Sequence, residues 1–218
     1  IFIRIEAFRD KFNSNRGVLC IATRKIVLQF YSDAGHPVDD LSPDEANQYI
    51  RQTTLHGASW LWFGPASLGK NVWQSFGTAI VVGREELPAA VLQDMGRALF
   101  GDAGAPLNLI DEVDGQKLPL GEVCYSLTNG SGRATRVPRH PDPRVAALQI
   151  QRRELASRQA YERLRLVRAT EPKRLILLSK LPIPGLPVDQ PQAMVFHAGT
   201  QIQEGHVVTS GGRVLCVT

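Results

Sequence analysis

HPDPRVAALQIQRRELASRQAYERLRLVRATEPKRLILLSKLPIPGLPVD, residues 140–189, is the stretch on which the fold turns. It reads as one long basic helix, a turn and one buried strand. Asp142 is placed to cap the helix, and Pro143 suits its first position because proline lacks an N–H that would be unpaired there anyway. On a helical wheel Arg152, Gln159 and Arg163 fall close together, while Leu148, Leu155, Ala156, Ala160, Leu164 and Val167 supply the expected core-facing stripe. The strand follows at RLILLS, residues 174–179.

Toward the N-terminus the same alternation continues. VLCIAT (18–23) is a short continuous apolar run of the kind covered on both faces of a sheet, and ASWLWF (58–63) and TAIVVG (78–83) are two more strand candidates. Residues 24–33 read as a helix. A second helix is capped by Ser42, with Pro43 at its first position and Glu45 completing a capping box. A third begins at Pro88, carries Val91, Leu92, Met95 and Leu99 on one face, and stops at Gly101. Four strands interleaved with helices predict βα units on a parallel sheet, a three-layer α/β architecture.

Residues 102–139 break this rhythm. GEVCYSLT and RATRVP flank the turn NGSG and predict an inserted antiparallel β-hairpin. Its Arg133, Arg136 and Arg139 are candidates to touch a nucleic-acid backbone, although surface arginines commonly meet only water. Beyond the Pro-rich segment IPGLPVDQPQ, the runs MVFHAGT, GHVVTSGG and RVLCVT predict a C-terminal β meander, with a boundary near residue 190. The expected units are therefore an N-terminal extension (1–16), a main α/β unit (17–190) and a β-rich tail (191–218). A first residue of Ile and a last run that stops in mid-strand lead us to expect a piece of a longer protein.

The chain of 218 residues holds 25 Lys and Arg against 21 Asp and Glu, so its net charge is only +4. Positive charge concentrates between Arg133 and Arg174, which suits phosphate as a partner. Cys20, Cys124 and Cys216 share no CxxC spacing, so neither a disulfide framework nor a zinc site is indicated and a reducing cytoplasm fits. No apolar run reaches about 18 residues and no export signal opens the sequence, so no membrane partner is expected.

Gly64-PASL-Gly69-Lys70-Asn71 matches a phosphate-binding G-x-x-x-x-G-K-[ST] loop except at its last place, where Asn71 replaces the hydroxyl that binds Mg²⁺. Only NVWQSF separates Lys70 from the next turn, too little for the helix whose amino end must face the anion. A strand-to-strand connection is the expectation. The pairs Glu85/Glu86, Asp39/Asp40 and Asp111/Glu112 fall at loops and caps, His197 and His206 lack further metal ligands, and Ser210-Gly-Gly lacks a nucleophile-elbow context. No metal ligands are assigned. Gln159-AYE-Arg163-L-Arg165 remains: an arginine on a helix at a sheet edge is suited to stabilise charge on a γ-phosphate. Arg163 and Arg165 lie about 200° apart on an ideal helix, so both meet one phosphate only if the helix opens there. A basic solvent-facing helix, with Glu154 and Glu162 paired to neighbours, accounts for the same pattern.

Taken together, VLCIATRK, GASWLWFG-ASLGKNVWQSFGTAIVVGRE, the arginine-rich helix and KRLILLSKLPIPGLPVD resemble, over about residues 15–189, the C-terminal RecA-like lobe of helicase-like P-loop ATPases of plasmids and phages. The resemblance implies an arginine-finger helix carrying Gln159, Arg163 and Arg165, and a coupling loop at Gly69, Lys70 and Asn71. It implies ATP and Mg²⁺ shared with a Walker A-bearing N-terminal lobe absent from this chain, and nucleic acid as partner. Such a lobe does not hydrolyse ATP alone. The segment MVFHAGTQIQEGHVVTSGGRVLCVT (194–218) resembles instead the C-terminal domain of phosphoribosylamine–glycine ligase, the glycinamide ribonucleotide synthetase of purine biosynthesis. The alternatives are therefore a fragment of that ATP-dependent ligase, or a non-enzymatic nucleic-acid-binding α/β module that uses the basic hairpin.

Overall fold

The computed structural model describes residues 16–64, 72–111, 118–192 and 214–217. Strands β1 (Val18–Ala22), β2 (Thr54–Leu55), β3 (Ala58–Trp62), β4 (Thr78–Val82), β7 (Arg174–Leu178), β8 (Gln190–Gln192) and β9 (Val214–Val217) form one sheet in the order β2-β3-β1-β4-β7-β9-β8. All neighbours are parallel except β2 and β3. Every residue of β1, the middle strand of β3-β1-β4, is buried, which is why its sequence is apolar throughout rather than alternating.

The helices are α1 (Arg24–Asp33), α2 (Pro43–Gln52), α3 (Ala89–Phe100) and α4 (Pro143–Tyr161). One sheet face, built by Val18, Cys20, Trp60, Ile80 and Ile176, packs on Val27 and Tyr31 of α1 and Ile50 of α2. The opposite face, with Leu19, Ile21, Val81, Leu175 and Leu177, packs on Ala160, Tyr161 and Leu164 at the end of α4 and on Trp73 of the β3–β4 connection. Helical and looped layers thus cover both faces, as the alternating pattern predicts.

Local signals are realised closely. The Ser42 hydroxyl accepts from the Glu45 N–H while the Glu45 carboxylate accepts from the Ser42 N–H, the full capping box. The Asp142 carboxylate accepts from the N–H groups of Arg144 and Val145 at the start of α4. Strands β5 (Leu120–Ser126) and β6 (Gly132–Pro138) form the separate antiparallel hairpin expected between residues 102 and 139. Its inward face carries Tyr125 and Val137, and the Tyr125 hydroxyl donates to the carbonyl of Ser179, which docks the hairpin beyond β7.

Several expectations are corrected. Thr54–Leu55 pairs with β3 through the two-residue turn His56-Gly57, both at positive φ (53° and 70°), a tight hairpin the sequence reading passes over. On α3 the buried residues are Leu92, Gln93 and Gly96, while Val91 and Leu99 are exposed. On α4 Leu155 is 39% exposed, and Gln149, Arg153 and Ser157 are buried in its place. Of the expected tail meander, residues 193–213 lie outside the described residues. Val214–Val217 runs parallel beside β7 and joins the main sheet.

Candidate functional site

Arg152, Leu155, Ala156, Gln159 and Arg163 recur at helical spacing, so their side chains form one face along α4 and the turn that follows it. Opposite that face stand Phe63 and Gly64, just past the carboxyl end of β3, and Glu85 and Leu87, just past that of β4. Between them lies a cavity of about 340 Å³. Ligands of parallel α/β sheets commonly lodge beyond the carboxyl ends of strands. The structure thus brings together Arg152, Gln159 and Arg163, as the helical wheel predicts.

A buried ion-pair network fixes this arrangement. Arg153 is 2% exposed; it donates to both carboxylate oxygens of Glu154, to Glu86 Oε1 at 3.2 Å and to the Pro138 carbonyl at 2.8 Å. Arg84 also pairs with Glu86 at 2.8 Å. One guanidinium therefore ties α4 to the segment after β4 and to the end of the hairpin. A second network holds the start of α4. The Asp142 N–H donates to Nδ1 of buried His140, whose Nε2 faces Gln93 Oε1 at 3.3 Å, so the hydrogen of the neutral ring sits on Nε2. Gln93 in turn bonds the N–H and carbonyl of Ile110, and His140 N–H donates to Gln149. The side-chain hydrogen bond from Arg144 holds the Asp142 carboxyl well below the usual carboxylate range.

Arg163 is the distinctive group of the first cavity. Its Nε is buried and has no hydrogen-bond partner among the described residues. Burial, and after it the neighbouring Arg165, hold this guanidinium below the ordinary arginine range. Arg165 itself does not share the cavity. After Tyr161 the helix tightens to a 3₁₀ turn over Glu162–Leu164, Arg165 takes a left-handed conformation (φ 53°, ψ 49°), and a second 3₁₀ turn spans Leu166–Arg168. The chain does open here, but it sends Arg165 to a different cavity of about 440 Å³, lined also by Arg16, Gln74, Arg168, Glu171 and Lys173. The expectation of Gln159, Arg163 and Arg165 as one constellation is corrected to Gln159 and Arg163. Glu162 pairs with Arg158 at 2.8 Å on the exposed side of the helix, and Glu154 with Arg153, as the ion-pair reading of the helix requires.

The hairpin arginines do not converge. Arg133 and Arg136 lie opposite Tyr125 and Glu122 on β5 and point to opposite faces of the ribbon, since their separation is odd. Arg139 follows β6, with its side chain lying over Gly121, where an added Cβ would meet it at 3.1 Å. All three are exposed. The coupling-loop residues Gly69, Lys70 and Asn71 lie outside the described residues. Residues 72–75 after them form a turn rather than a helix. Sequence reasoning missed Phe63, Glu85 and Leu87 as partners of α4, because nothing local brings chain separated by more than sixty residues together. Arg168 and Lys173 stood within the basic run, which was the available signal.

No helix of the described residues is long and apolar enough to cross a membrane. No protein-family model and no solved structure matches the chain. Short stretches are shared with curated phosphoribosylamine–glycine ligases, the family that residues 194–218 resemble. The ligase of Ralstonia nicotianae is 51% identical over 35 residues, which is 16% of this chain and 8% of the ligase. That of Pseudomonas aeruginosa is 75% identical over 24 residues, 11% of this chain and 6% of the ligase. The chain thus spans under a tenth of the length of these relatives.

Proposed function

We propose that this chain is the second, RecA-like lobe of a nucleic-acid-dependent, helicase-like ATPase, in which Arg163 reads the γ-phosphate of ATP. The nucleotide and its Mg²⁺ would be held by a Walker A-bearing lobe on another part of the assembly. One observation carries the reading: a buried guanidinium nitrogen, Arg163 Nε, that has no partner among the described residues. Leaving a buried charged donor unpaired costs about 1–3 kcal/mol, so such a group in a folded protein calls for an acceptor supplied from outside. Gln159, one helical turn earlier on the same cavity wall, adds an amide to the same space. Arginine suits this task because its charge persists at any physiological pH and its planar fork matches phosphate oxygens.

The test is a nuclear magnetic resonance titration of the chain with Mg²⁺·ATP. The Arg163 Nε–H and Gln159 amide signals are expected to shift, and Arg163→Ala is expected to weaken binding about tenfold. The chain alone is expected to hydrolyse no ATP. Hydrolysis abolished by Lys70→Ala would overturn the proposal and make Gly64–Asn71 a phosphate loop.

A second reading, a fragment of a purine-biosynthetic ligase, is favoured by the short stretches shared with phosphoribosylamine–glycine ligases. Phosphoribosylamine-dependent consumption of ATP by the chain would establish it in place of the first.

A further inference from the structure

One lysine ties the turn that carries Arg163 to a distant part of the chain. The Lys173 ammonium donates to the carbonyl of Leu164, the residue after Arg163, at 2.6 Å, and also to the carbonyl of Gln74 in the β3–β4 connection. We propose that Lys173 is a positioning residue for Arg163: by joining the arginine turn to that connection, it sets where the Arg163 guanidinium stands in its cavity. The value of that position for phosphate rests on the function proposed above, whereas the link itself rests on the two bonds.

The last carbonyls of a helix have no partner within it and carry the negative end of its dipole, so a cationic donor suits them. Leu164 closes the 3₁₀ turn Glu162–Leu164, and Arg165 then leaves the helical path at φ 53°. Lys173 supplies the donor from a fixed base. It directly precedes β7, whose first residue, Arg174, donates its N–H to the carbonyl of Gly77 at 2.8 Å, just before β4. Trp73, next to Gln74, is buried in the same apolar cluster as Ala160, Tyr161 and Leu164. Apolar packing of that kind is non-directional and leaves a turn free to rotate. Hydrogen bonds are directional, so one ammonium shared by two carbonyls holds turn and connection together. Burial, and after it the Arg16 charge, hold the Lys173 ammonium below the ordinary lysine range, and the carbonyl contacts offset the lost water. The effect reaches Arg163 at its buried Nε, the guanidinium nitrogen nearest the backbone, which follows the turn more closely than the terminal nitrogens do.

Hydrogen exchange at the Arg163 Nε–H, followed by nuclear magnetic resonance on the whole unliganded chain, tests the link. Lys173→Met keeps the stem and removes the donors, and exchange is expected to quicken about tenfold. Lys173→Arg, which can again donate to two carbonyls, is expected to restore the parent rate. If Lys173→Met does not fold, Lys173→Gln, whose amide can still donate, takes its place and is expected to give a smaller rise in the same direction. Unchanged exchange would overturn the proposal. So would a rise matched by backbone amides throughout the chain, because that reports a loss of stability alone. Affinity for Mg²⁺·ATP then separates this proposal from the function it builds on. Lys173→Met is expected to weaken binding about tenfold in the parent and less than about twofold in an Arg163→Ala background. Equal losses in both backgrounds would overturn the proposal, since Lys173 would not then act through Arg163. If the chain binds no ATP while exchange responds as expected, the phosphate-reading function falls and the positioning of Arg163 by Lys173 stands.

Discussion

Arg153 shows most plainly how one charge of a basic helix becomes structural. It is buried among Glu154, Glu86 and the Pro138 carbonyl, and donates four hydrogen bonds to them. Arg153→Met would leave the Glu154 carboxylate, itself 5% exposed, without its partner. Urea denaturation is expected to show a loss of about 3–5 kcal/mol, because an uncompensated buried charge is costlier than the intact pair is stabilising. A loss below about 1 kcal/mol would mean that water reaches the site and the network is not buried in solution. His140 gives a pH prediction. Burial lowers its pKa below the ordinary 6.5, with the Asp142 carboxylate opposing that shift without outweighing it. Protonation would also set an Nδ1–H against the Asp142 N–H that donates to it. The unfolded chain therefore binds this proton more readily than the folded one. The contribution is fully present above about pH 6.5 and is lost as pH falls below it through the folded value. Urea midpoints at pH 7.5 and 5 are expected to differ in that direction, and His140→Gln to flatten the difference. Capping residues were legible at this scale: Ser42 and Asp142 were read correctly because their bonds are made within three residues of themselves.

Among the elements, α4 separates pattern from packing. The wheel gives its inward stripe as Leu148, Leu155, Ala156, Ala160, Leu164 and Val167, yet Leu155 stands in the cavity wall while Gln149, Arg153 and Ser157 turn inward; the side chain of Val167 lies outside the described residues. Substitution tells the two arrangements apart. Leu164→Ala, at a fully buried site, is expected to cost about 2–5 kcal/mol of stability, whereas Leu155→Ala is expected to cost less than about 1. Equal losses would restore the wheel's assignment. The same rotation occurs in α3, where Gln93 and Gly96 face inward and Leu99 outward. At Gly96 the reason is visible: an added Cβ would lie 2.7 Å from Val145 Cγ2, so the glycine lets α3 approach α4 closely. Helix existence and bounds were readable from caps and composition. Helix rotation was not, since it depends on which polar side chains find partners inside.

Across the whole molecule the parallel sheet sorts positive charge into two places that the sequence runs together. Arg163 and Arg165 are two residues apart, yet they line different cavities, one beside the carboxyl ends of β3 and β4 and the other at the amino ends of β1, β4 and β7. A helix that ends in two 3₁₀ turns with a left-handed residue between them is what divides them. By itself the sequence determined the α/β class, the four central strands, the helix starts and the inserted hairpin. Each of these follows from short-range periodicity, capping or turn chemistry. Tertiary structure alone decided the inward face of α3 and α4, the burial of Arg153 and the meeting of Arg163 with Phe63 and Glu85 at one cavity. Those depend on contacts between distant segments, where a satisfied polar group outweighs the local apolar pattern because an unsatisfied one cannot remain buried cheaply.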